Sequence, residues 1–211
     1  MRKTKVVVLL VLAFLLKTGF LFSNVAENPW KEFVNRPDKK GYELCSRMIN
    51  DSLHGPYETN EYGEKINTPT QLYLIDDWDL YGKFLMLVRT ANPYAMELAF
   101  QLYPLADGAA GEDLFRSLGT TIKVEPHRFL SMMKKYGISN SNVIKTMILS
   151  YPLEEFVDNL KGRILETEER IMAFRKVGKR EFFELREQCL DILSNYLTKL
   201  RKIEIEMSQK N

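Results

Sequence analysis

Residues 152–207, PLEEFVDNLKGRILETEERIMAFRKVGKREFFELREQCLDILSNYLTKLRKIEIEM, decide the fold. Leu153, Val157, Leu160, Ile164, Ile171 and Phe174 recur at three- and four-residue steps, with Thr167 filling one gap. After Gly178 the spacing resumes with Phe182, Leu185, Cys189, Leu193, Tyr196, Leu200, Ile203 and Met207. That period is the narrow apolar seam of paired helices. A turn at Gly178 makes the pair a long antiparallel hairpin over 152–207. Each arm has about 25 residues, roughly 37 Å at 1.5 Å per residue. The other faces carry Glu166, Glu168, Glu169, Arg170, Arg180, Glu181, Glu184, Arg186 and Glu187, and are expected to be solvated.

Upstream, proline marks helix starts. Asn28-Pro29 and Asn92-Pro93 are N-caps followed by Pro at the first helical position, where a missing N–H costs nothing. Glu125-Pro126 and Tyr151-Pro152 place Pro where helices begin. Ala95, Leu98, Ala99 and Leu102 form one helix face, and Asp107 is expected to cap the next helix. There Ala110, Leu114, Leu118 and Ile122 form a stripe beside Gly111 and Gly119. Two glycines within a helix each cost up to about 1 kcal/mol, so they imply a close helix–helix approach. Phe129, Leu130 and Met133 lead to a stop at Gly137, and Ser139–Asn142 caps a helix over Val143–Leu149.

The middle therefore divides into helical pairs, 78–90 with 93–103, 108–122 with 126–136, and 142–150 with the helix from 152. The spacing is near that of α-solenoid repeats, without side chains repeating in register. The fold expected is all-α: irregular, α-solenoid-like helical pairs, then the hairpin. A short helix over Tyr42–Ile49 precedes a polar loop over 50–71, with a β-hairpin around Asn60–Gly63. Asp76-Asp77 caps a helix carrying Leu80, Phe84, Leu85, Leu87 and Val88.

At the N-terminus Arg2, Lys3 and Lys5 precede the unbroken apolar run Val6–Leu16. A basic start and an apolar stretch of that length are the layout of an export signal. Residues 1–26 are read as that signal, cleaved or retained as an anchor, and 27–211 as one domain. The whole chain has 30 Lys and Arg against 28 Asp and Glu, a net +2. Removing Arg2, Lys3, Lys5 and Lys17 leaves +2 − 4 = −2. That balance supplies no basic face for nucleic acid. The expected location is periplasmic or secreted, with membrane contact only through an uncleaved N-terminal segment.

The sequence lacks G-x-S-x-G, H-E-x-x-H, C-x-x-C and the phosphate-binding glycine motifs. Two Cys and two His exclude a four-Cys zinc module and a His-rich site, and no metal or cofactor is expected. Asp76, Asp77 and Asp79 read as caps rather than cation ligands. Glu97, Glu112 and Asp113 offer carboxylates, but neighbours on a helix diverge by about 100°. Cys45 and His54 have nothing to position them as a nucleophile pair, and His127 sits alone in a first turn. In an oxidising compartment Cys45 and Cys189 are able to pair; otherwise Cys189 is a small core residue. Tyr57, Tyr62, Tyr73 and Trp78 stand among polar residues, the setting of interface anchors. The resulting expectation is an exported, non-enzymatic binding or scaffolding protein, of the inhibitor or immunity-factor kind, acting on another protein in the envelope or outside the cell. The alternatives are a hydrolase using Asp76, Asp77 or Glu112, and a membrane-tethered helical spacer.

Overall fold

The structure, a computed structural model, describes residues 28–54, 58–59, 65–66, 72–106, 108–150 and 159–209. Asn28 starts helix α1 (Pro29–Asn35), its side chain accepting from the Trp30 N–H. Asp38 Oδ1 accepts from Gly41 N at 2.8 Å at the start of α2 (Lys39–His54). This helix is longer than Tyr42–Ile49, and residues 50–54 belong to it rather than to a polar loop. Ile49 and Ser52 are both buried on its inner face, so tertiary packing holds its polar last turns. Beyond it, β1 (Glu58–Thr59) pairs antiparallel with β2 (Lys65–Ile66), as a hairpin there requires; the tip lies outside the described residues.

The central helices follow, the first of them a short one that the sequence reading did not anticipate. They are α3 (Leu72–Ile75), α4 (Trp78–Arg89), α5 (Pro93–Leu102), α6 (Gly108–Val124), α7 (Pro126–Lys135) and α8 (Ser141–Leu149). Asn92 accepts from Tyr94 N and Ala95 N, and Asn140 from Asn142 N and Val143 N. Asp107 lies outside the described residues. Gly137 closes α7 with φ +62°, the left-handed conformation a helix stop favours. Then come α9 (Leu160–Arg175), a 3₁₀ turn (Arg180–Phe182) and α10 (Phe183–Ser208). The chain is all-α. Helix α9 has 16 residues rather than about 25, because Asn159 caps it by accepting from Gly162 N at 2.8 Å; the expected start at Pro152, with Leu153 and Val157, lies outside the described residues, as does 1–26.

Helix α6 is the centre of the packing: α4, α5, α7, α8 and α9 all touch it. Its stripe, Ala110, Leu114, Leu118 and Ile122, is buried. One continuous core runs from Trp30 and Phe33, through Phe84, Phe100 and Phe129, to Phe174, Cys189 and Leu193. Both α6 glycines mark close approaches. A Cβ on Gly111 would lie 2.7 Å from the Ala106 carbonyl oxygen. One on Gly119 would lie 2.8 Å from that of Ser150 and 2.9 Å from that of Met147, at the end of α8.

The hairpin charges need a correction. Glu166 and Arg170 are buried rather than solvated. Arg170 Nε donates to Glu166 Oε1 at 3.1 Å, and its Nη1 donates to the Ile148 carbonyl at 2.7 Å. Glu166 also accepts from Lys123 Nζ at 2.5 Å. The space Gly119 leaves open lets the guanidinium reach the last carbonyls of α8, so this charge works inside the fold. The rest of the α9 face is nearer the expectation: Glu168 and Glu169 are half-buried, with Glu168 accepting from Arg201.

Candidate functional site

Helix α4 presents the clearest outward-facing surface. Asp77 caps it by accepting from Leu80 N at 3.1 Å. Leu80, Tyr81, Phe84, Leu85 and Val88 form its buried face. The Tyr81 hydroxyl donates to the Ala110 carbonyl at 2.6 Å, and Arg89 Nε donates to Ser117 Oγ at 3.1 Å, so α4 is tied to α6 near both ends. Trp30 stands edge-on to Phe84 at 5.6 Å between ring centres.

The outward side carries two large apolar residues beside the charged Asp79 and Lys83. Trp78 is 59% exposed and Met86 56%, although both are large hydrophobic residues. They are eight residues apart, roughly 12 Å along the axis. Gly82 lies midway, and a Cβ there would meet nothing within 4 Å. Unlike Gly111 and Gly119, Gly82 has no close packing neighbour among the described residues. Trp78 is held edge-on to Tyr81 at 6.1 Å. Lys83 Nζ, paired with Asp79 at 2.6 Å, borders the strip. The result is a bare stretch of backbone between two apolar anchors, on a rigid helix.

Of the four aromatics read as partner contacts, Trp78 is exposed on α4. Tyr57, Tyr62 and the Tyr73 side chain lie outside the described residues. Met86 was missed by sequence reasoning. Its signal was there: it falls outside the stripe of Leu80, Phe84, Leu85, Leu87 and Val88.

The two thiols do not bridge. Cys45 on α2 and Cys189 on α10 are both free and fully buried in this structure. Burial pushes each thiol up to about 12, so neither is a ready nucleophile. His54 is exposed at the end of α2 while Cys45 is buried in its middle, so they form no pair.

Most of the candidate carboxylates have structural partners, while Asp76 is exposed. Asp77 caps α4. Arg116 binds both Asp113, at 2.9 Å, and Glu112, at 3.1 Å. Glu97 on α5 accepts from Tyr42 Oη at 2.7 Å, from Tyr136 Oη at 3.1 Å and from Lys135 Nζ. Gln101 extends this cluster, donating to Tyr136 Oη at 3.0 Å and accepting from Ser46 Oγ at 2.8 Å. Burial would raise the Glu97 carboxyl, but the hydrogen bonds from Lys135 and Tyr42 outweigh it and hold it below its ordinary value. Burial, reinforced by the Glu97 carboxylate, pushes Tyr42 up to about 12; burial likewise takes Tyr136 to about 12. The cluster ties α2, α5 and the end of α7 together. His127 packs edge-on against Phe182 at 5.0 Å.

Among the described residues no group of three or more His, Cys, Asp or Glu is placed to hold a metal ion, and no helix is long and apolar enough to cross a membrane. Compared with family models, curated proteins and solved structures, the chain finds no match.

Proposed function

We propose that this chain is an exported, non-enzymatic binding module whose α4 face receives a partner protein. One observation carries the reading: Trp78 and Met86 are more than half exposed on either side of the unpacked Gly82. Trp is among the residues that most often dominate an interface, and a neighbouring Gly lets a partner approach the helix backbone closely. A fixed helix also avoids the ordering cost that a flexible loop pays on binding.

The architecture we propose is α-solenoid-like, closed by an antiparallel α9–α10 hairpin. The contact pattern supports it: α1, α4, α6 and α8 touch in succession, and so do α2, α5, α7 and α9. Stacked pairs of this kind build extended binding surfaces. Export is supported by the basic start and the Val6–Leu16 run. It requires that native protein lack roughly its first 23–26 residues or remain membrane-attached through them.

The experiment is affinity capture from an extract of the native envelope and external medium. Wild-type protein should retain a discrete partner that the Trp78→Ala/Met86→Ala variant does not. Equal retention by both would remove α4 from the binding surface. Native material that is soluble, intracellular and begins at Met1 or Arg2 would refute export.

A further inference from the structure

A second surface lies where α9 passes the corner between α6 and α7. There a groove of about 530 Å³ is lined by Lys123, Val124, Pro126, Glu169, Met172 and Lys176, among others. Val124 is 58% exposed and Met172 51%, so its floor is open apolar surface. Leu165, also exposed, stands seven residues before Met172, two helical turns along α9.

The charges at the rim are unequal. Lys123 is engaged, donating to Glu166 and to Glu169 at 2.9 Å, and Glu169 is thereby neutralised. Lys176 makes no ion pair among the described residues. Pro126 opens α7, whose Glu125 supplies no side-chain cap. Through Pro126 the first turn of α7 borders the groove. Another surface depression lies around Phe183. Its Lys134 is paired with Glu181, and Arg186 lies over the Phe183 ring at 5.2 Å.

We infer that the groove between α9 and the α6–α7 corner docks an acidic amphipathic helix of a partner protein. An apolar side chain of that helix covers Val124 and Met172, and a carboxylate lies against Lys176. This site is separate from the α4 face and does not depend on it. Charge complementarity chooses the occupant: the groove offers apolar area and an unengaged cation, while its own carboxylate is taken.

The test uses two synthetic helical peptides with the same leucine stripe, one bearing glutamates on its polar face and one bearing lysines. They are titrated into the full-length protein labelled at its methionine methyls, with the Met172 signal assigned through Met172→Leu. The glutamate peptide should shift the Met172 signal saturably and bind at least tenfold tighter than the lysine peptide. Lys176→Glu should abolish that preference, and Trp78→Ala should leave it unchanged. An unmoved Met172 signal, equal affinity for the two peptides, or a preference that survives Lys176→Glu would each overturn the inference. A shift confined to Met86 would assign the binding to α4 and overturn it as well.

Discussion

The Arg170 guanidinium donates to the Ile148 carbonyl at 2.7 Å, so a charged side chain of α9 ties off the end of α8 inside the protein. The same guanidinium is paired with buried Glu166. Removing Arg170 leaves the buried Glu166 with Lys123 as its remaining cation and takes the donor from the Ile148 carbonyl, so a cost toward the low end of the roughly 3–5 kcal/mol for breaking a buried pair is expected. Arg170→Met should therefore be among the most destabilising single changes outside the apolar core, as read by denaturant unfolding. Arg170→Met/Glu166→Met, which removes both charges, should lose less than the single variant.

Two glycines should respond oppositely to alanine. At Gly119 a Cβ meets the carbonyl oxygens of Ser150 and Met147 below 3 Å, so Gly119→Ala must push α8 away. A loss of about 1–3 kcal/mol is expected for this overpacking. At Gly82 the space is open, and Gly82→Ala should gain about 0.5–1 kcal/mol from helix propensity. Thermal unfolding of the two variants checks both signs.

The proline and asparagine starts of α1, α5 and α8 were legible in the sequence, because capping depends on atoms within three residues. So was the α6 stripe with its glycines. The length of α2 was not. Residues 50–54 are polar, and what keeps them helical is the burial of Ser52 against the body of the protein. Nor was the inward turn of Glu166 and Arg170, since an i,i+4 pair reads the same on an exposed or a buried face. Only Gly119, on another helix, makes the room. The Glu97 cluster joins residues 55 positions apart, from Tyr42 to Glu97, and no local pattern announces it. For the α4 site Trp78 was legible as an aromatic in a polar setting. Met86 was not singled out, since it is legible only as the residue the stripe leaves over.

The Glu97 cluster should give stability a defined pH dependence. Glu97 titrates below its ordinary value in the folded chain, so the unfolded chain binds the proton first on acidification. Its contribution is present above the unfolded carboxyl pKa, about 4.3, and is lost as pH falls through the lower folded value. The stability difference between wild type and Glu97→Gln should thus be largest near neutrality and shrink below about pH 4. At the alkaline end Tyr42 and Tyr136 are raised to about 12. Their contribution is complete below the unfolded phenol pKa, about 10, and is lost as pH rises through the folded value. Absorbance titration of the phenolates should show these two ionising only near pH 12.

The thiols offer a direct check on the core. Cys45 and Cys189 are buried and free, so a thiol reagent should leave the native protein unmodified. Under denaturing, non-reducing conditions both should react. Two thiols appearing only after unfolding is the expected count. None would mean that the cysteines pair.

The α4 face and the apolar core should separate cleanly in a paired measurement of affinity and stability. Leu193 is fully buried, and Leu193→Ala should cost about 2–5 kcal/mol of stability while partner affinity at a temperature where it stays folded is unchanged. Trp78 is exposed on α4, and Trp78→Ala should leave the melting temperature within a degree or two of wild type. It should weaken the captured partner by roughly 30-fold or more, as a hot-spot truncation of about 2 kcal/mol or above does. The most direct measurement is therefore the dissociation constant of that partner for the Trp78→Ala protein, taken beside its melting curve. Lost affinity with an unchanged melt is the predicted result; wild-type affinity with an unchanged melt would contradict a binding role for α4.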